Sequence, residues 1–99
     1  MIHVLAIITT IPGQRATVLE RFKTIVPTVR AEAGCIEYGP VVDAEGADPA
    51  FGPDTFVVVE KWESLDALKA HSAAPHMRAY AENTQGLIAK RAVHVLTPA

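Results

Sequence analysis

TFVVVEKWESLDALKAHSAAPH, residues 55–76, carries one buried strand, a tight corner, one short helix and the start of a second. The run 55–62 is rich in β-branched and aromatic side chains, a composition that suits a pleated strand better than a helix. Alternation sends Phe56, Val58, Glu60 and Trp62 to one face and Val57, Val59 and Lys61 to the other. Both faces begin apolar, so both call for cover. Ser64 stands where a helix N-cap belongs, with Asp66 in the first turn against the partial positive charge of the helix N-terminus. Leu65, Leu68 and His71 or Ser72 recur at helical spacing, which puts His71 on or beside the inward face. Pro75 is misplaced inside that helix but suited to the first turn of a new one, so residues 73–75 read as a break and restart. His76, Met77, Tyr80 and Thr84 share a stripe of the second helix. Two short helices at an angle are therefore expected to aim two histidines, a tyrosine and a methionine at the sheet.

Upstream, residues 2–10 (IHVLAIITT) are apolar at nearly every position, which excludes a strand with one face in water. Over 14–33, Val18, Leu19, Phe22, Ile25, Val26, Val29 and Ala33 follow the helical period, Gly34 is placed as the C-cap glycine, and Pro27 predicts a kink. Residues 35–43 form the second predicted strand, where Gly39-Pro40 points to a bulge or an edge position. Residues 44–54 (AEGADPAFGPD) read as an exposed loop, unusually long for a hairpin. Its Phe51 stands as a candidate lid over a pocket, against the commoner reading of a loop phenylalanine packed on a sheet edge. Downstream, residues 83–86 end the last helix and 91–97 (RAVHVLT) make a fourth strand.

The order strand, helix, strand, strand, helix pair, strand predicts an α+β fold. The economical solution is the ferredoxin-like βαββαβ arrangement, a four-stranded antiparallel sheet with helices on one face. Strands one and three are greasy on both faces, so a second copy is expected to pack sheet against sheet in a symmetric homodimer.

The totals agree with one domain over residues 1–99. Of the 99 residues 49% are apolar and 20% charged, and the net charge of -2 gives no support for nucleic-acid binding. No apolar run reaches the length of a membrane span, and no leader pattern opens the chain. A single cysteine fits a reducing cytoplasm, the expected location.

Gly34-Cys35-Ile36-Glu37-Tyr38, then Phe56, Glu60-x-Trp62-Glu63-Ser64, Ala67-Leu68-x-x-His71 and Pro75-His76 together resemble the antibiotic biosynthesis monooxygenase family of dimeric α+β barrels. The resemblance spans nearly the whole chain. It implies a ferredoxin-like protomer, a homodimer whose sheets form a barrel, and a small pocket between sheet and helices. Members include quinol and anthrone monooxygenases that need no metal or flavin, haem-degrading enzymes, and enzymes that process a phosphorylated signalling sugar derivative. The haem branch expects an asparagine on the first strand, a tryptophan in the first short helix and a histidine ligand in the next. Here His71 holds the tryptophan's place, Ala81 the ligand's, and the first strand has no asparagine.

The reading that follows is a cofactor-independent monooxygenase acting on a small quinol- or anthrone-like aromatic and molecular oxygen. Such chemistry needs a site that binds a flat ring, takes a proton and excludes water. His71 and His76 are the candidate bases, because imidazole titrates near working pH; the bland alternative is two hydrogen-bonded helix residues. Tyr80, Met77, Trp62 and Phe51 are the candidate substrate contacts, although Trp62 at the end of its strand reads more simply as a core anchor. Glu60 interrupts an apolar face and needs a partner or a raised pKa; an ion pair with Arg91, Lys90 or Arg78, across the dimer, is the expected one. Cys35 reads as a small apolar filler. The four histidines fall into no ligand spacing, so no metal and no cofactor are assigned. The alternatives are an isomerase or degrading enzyme for a small polar carbonyl signalling compound, which would favour arginines and histidines in the pocket, and a non-catalytic small-molecule-binding barrel.

Overall fold

The computed structural model describes residues 1–99. Its elements are β1 (Ile2–Thr10), α1 (Arg15–Arg30), β2 (Cys35–Val41), β3 (Thr55–Trp62), α2 (Leu65–Ser72), α3 (Pro75–Asn83) and β4 (Ile88–Leu96). The strands form one antiparallel sheet in the order β2-β3-β1-β4, the ferredoxin-like βαββαβ arrangement. The two strands read as apolar on both faces, β1 and β3, are the central pair. A central strand is bonded to a neighbour on each side, and here the helices cover one of its faces.

The helices lie on the face that carries Val4, Ala6, Ile8, Phe56, Val58, Glu60 and Trp62. Phe22 of α1 holds this layer together, with ring centroids 5.5 Å from Tyr38, 5.7 Å from Phe56 and 5.7 Å from Tyr80. Val18, Val26 and Val29 fill the rest of the α1 interface.

Several boundaries differ from the periodic pattern. Helix α1 ends at Arg30 rather than at residue 33, and Pro27 lies inside it without ending it. Gly34 follows four residues later at φ +82°, and there an added Cβ would stand 2.6 Å from the Cβ of Ala67. The glycine is needed both for its backbone angle and for the approach of α2. The register shift of β2 falls between Cys35 and Glu37, not at Gly39-Pro40; Pro40 is tolerated because β2 is an edge strand. Strand β4 begins three residues earlier than predicted. As expected, the Ser64 hydroxyl caps α2 by accepting from Ala67 N at 3.1 Å, and Pro75 opens α3.

The loop of residues 42–54 is anchored rather than loose. The Asp43 carboxylate accepts the backbone N–H groups of Ala50, Phe51 and Gly52, and these bonds, Gly52 first, hold its carboxyl below the usual range. The Arg15 guanidinium donates to the carbonyls of Gly52 and Thr55, both at 3.3 Å. This folds the loop over one end of the outer sheet face, where Phe51 lines a shallow hollow together with Ile7, Thr9 and Ala92.

Candidate active site

Between the sheet and the paired short helices lies a cavity of about 600 Å³. Its floor is Val4, Ala6, Ile8 and Val58 of the sheet with Phe22 of α1, and its helix wall is Leu68, Met77 and Tyr80. Twelve of the twenty lining residues are hydrophobic, so a ligand here meets mostly carbon.

Besides Thr84, whose hydroxyl donates to the Tyr80 carbonyl at 3.0 Å, four buried polar side chains interrupt that lining: Tyr38, Glu60, His71 and Tyr80. His71 Nε2, Glu60 Oε2 and the two phenol oxygens make no hydrogen bond within the chain. Since no fully buried side-chain nitrogen or oxygen lacks a partner, these four atoms open onto the cavity. Each is positioned by a different element. Tyr38 comes from β2, Glu60 from β3, His71 from the inward face of α2 and Tyr80 from α3.

Glu60 does not pair with Arg91, Lys90 or Arg78 within the chain. Its Oε1 accepts from Trp62 Nε1 at 2.9 Å, two residues along the same face of β3. Burial raises its carboxyl above the ordinary value, against the Trp62 hydrogen bond and the nearby His71, which lower it. Burial also raises both phenols, Tyr80 up to about 12. Both tyrosines therefore keep their protons at neutral pH and can donate to a substrate oxygen.

His71 is only 5% exposed and is gripped on both sides. Its ring centroid lies 4.7 Å from that of Trp62 and 5.3 Å from that of Tyr38, and its Nδ1 stands 2.8 Å from Glu32 Oε2. His76 does not reach the cavity. It turns to the same oxygen, with Nε2 at 2.8 Å.

Of the residues singled out in the sequence, then, His71, Met77 and Tyr80 meet at the cavity. Trp62 is fully buried and touches the site only through Glu60 and His71. Phe51 lies on the opposite face of the sheet, 48% exposed, so it is no lid for this cavity. Cys35 is half-buried at the start of β2, and burial, then Glu32 and Glu60, push its thiol upward, which suits a filler and not a nucleophile.

Glu32 is the residue that sequence reasoning missed. The helical period over 14–33 makes it one more polar position of the long helix, whereas it sits in the turn beyond Arg30. One signal was present: an acidic side chain at a helix C-terminus opposes the helix dipole, so it implies compensation from elsewhere. The two histidine nitrogens and the Glu32 oxygen lie within 4.8 Å of one another and are donor types that divalent ions use. Each nitrogen stands 2.8 Å from one shared oxygen, a hydrogen-bond length.

A family model described as antibiotic biosynthesis monooxygenase matches residues 1–83. The chain is 44% identical to "Probable quinol monooxygenase YgiN" of Escherichia coli (strain K12), in an alignment covering 99% of this chain and 98% of that one. Among solved structures, Rv0793 from Mycobacterium tuberculosis superposes with a TM-score of 0.81 at 27% identity, covering 99% of this chain and 94% of the other. PA3566 from Pseudomonas aeruginosa gives a TM-score of 0.83 at 23% identity over 99% and 93%, a likeness of fold alone.

Proposed function

The chain belongs to the antibiotic biosynthesis monooxygenase family, and from that premise we propose that it oxidises a small quinol- or anthrone-like aromatic with molecular oxygen, without a cofactor of its own. The observation that carries the reading is the convergence of His71 Nε2, the Glu60 carboxyl and two phenols on an otherwise apolar cavity. The apolar walls accept a flat ring. Tyr38 and Tyr80 donate to its oxygen substituents, and His71 Nε2 takes the hydroxyl proton. The resulting anion is electron-rich enough to pass an electron to oxygen. Recombination forms a carbon–oxygen bond, and loss of water from the peroxide leaves one oxygen atom in the oxidised product and the other in water. Both reducing electrons come from the substrate, so the protein has only to bind, deprotonate and keep bulk water out.

Two copies packed through their outer sheet faces complete the proposed molecule. The alternative of a polar carbonyl substrate would draw on Arg78 and Arg91, but both are exposed side chains at the cavity edge, while the floor is hydrocarbon and aromatic.

The test is oxygen consumption by chelator-treated protein offered reduced naphthoquinone or anthrone. Uptake well above the spontaneous rate is expected, surviving the chelator. His71→Ala should lower it by roughly 10²-fold or more, the usual scale of a general base. No uptake with any quinol or anthrone removes the reading; full activity in His71→Ala removes the base assignment.

A further inference from the structure

We propose that Glu32 is a positioning residue that holds His71 and His76 in opposite tautomers through a single carboxylate oxygen, so that only His71 presents a basic nitrogen to the cavity. The kinetic part of this inference rests on the oxygenase reading above; the tautomer part does not.

Glu32 Oε2 lies 2.8 Å from His71 Nδ1 and 2.8 Å from His76 Nε2. A carboxylate oxygen only accepts, so both ring nitrogens that face it must carry the proton. A neutral imidazole has one N–H. The free lone pairs are then Nε2 on His71 and Nδ1 on His76. The first opens onto the cavity, while His76 lies outside the lining altogether. One oxygen thus makes a base of one histidine and a spectator of the other.

The placement also serves the proton transfer. When His71 Nε2 takes the substrate's proton, the ring becomes an imidazolium whose Nδ1–H already points at a carboxylate. The other titratable groups that face the ring are Glu60 from β3 and Tyr38 from β2. Neither of them contacts Nδ1, so the tautomer is governed from the Glu32 side. Trp62 and Tyr38 pack against the ring and leave it little freedom to flip. Glu32 and the cavity are on opposite edges of the imidazole, so altering Glu32 should change the chemical step and leave substrate contacts in place.

Two measurements test this. The first is a long-range nitrogen–proton spectrum of the histidine rings of the wild-type protein at about pH 8.5, where ordinary imidazoles are neutral. His71 is expected to be protonated at Nδ1 and His76 at Nε2, the two being assigned by comparison with His76→Gln. A wild-type spectrum with His71 protonated at Nε2 overturns the proposal without reference to any substrate. The second is Glu32→Gln, which keeps the shape but offers N–H as well as oxygen. His71 should lose its fixed Nδ1–H signature, and kcat should fall roughly 10- to 100-fold with KM unchanged. Unchanged tautomer and unchanged kcat overturn the proposal, as does a loss confined to KM. If the protein consumes no oxygen with any quinol, the functional reading fails while the wild-type spectrum still decides the tautomers.

Discussion

Glu60 shows how one residue can serve a site at a cost to the fold. It is 6% exposed, and its single protein partner is the Trp62 indole. Because burial raises its carboxyl, the folded chain binds a proton there more tightly than the unfolded chain does. The sign follows: stability falls as pH rises from the ordinary glutamate range, about 4.3, through the higher folded value, and the deficit is complete above it. Glu60→Gln keeps an acceptor for Trp62 and never ionises. It should therefore be more stable than wild type at about pH 8 and lose that advantage near pH ~4. Urea midpoints at the two values check this, and an advantage that persists or grows in acid would contradict it. His71 was legible at this scale because helical spacing set it on the inward side of α2. His76 was not, because the carboxylate that captures it is 44 residues away in sequence.

Element by element, the weight falls on the turn that joins α1 to β2. It holds Glu32 under the two histidines, and it brings Gly34 close enough for its carbonyl to accept from Glu63 N at 2.8 Å. Gly34→Ala would place a side chain at φ +82° and 2.6 Å from Ala67 Cβ. The left-handed backbone costs about 1–2 kcal/mol, and the overpacking adds about 1–3 kcal/mol, so a loss of roughly 2–5 kcal/mol is expected in denaturant unfolding. Because relief of the clash moves α2, and α2 carries His71, activity should fall under conditions where the variant is still folded. A variant as stable as wild type would show that the approach of α2 is not constrained here. The periodic pattern found α2 and α3 readily, since a capping serine and an N1 proline are local signals. It overran the end of α1, because Ala33 continued the helical period past the point where the chain must turn toward β2.

At the scale of the whole molecule, the outer face of the sheet is apolar and uncovered by any helix. Leu5, Val41 and Leu96 on that face are 37%, 48% and 46% exposed, and the loop of residues 42–54 covers only one end. Such an apolar face suits a second copy of this chain, sheet against sheet. Sedimentation should give twice the 10.6 kDa chain mass. Leu5→Asp should yield a monomer with an unchanged far-ultraviolet circular dichroism spectrum, since Leu5 lies on the face away from the helix-side core. A wild-type monomer at micromolar concentration counts against the dimer and leaves the cavity chemistry of a single chain untouched. No helix is long and apolar enough to cross a membrane.

By itself the sequence determined the number and kind of elements, the alternation along β3, the inward side of α2 and the ferredoxin-like order. Those are burial patterns with a period of two or 3.6, written into neighbouring residues. Only the tertiary structure decided that Phe51 lies behind the sheet, that the Trp62 indole donates to Glu60, and that one oxygen of Glu32 meets both histidines. Each of those facts depends on which distant segments the order β2-β3-β1-β4 and the close packing of the helices bring within hydrogen-bond length. A meeting of residues about forty positions apart leaves no period in the chain to be read.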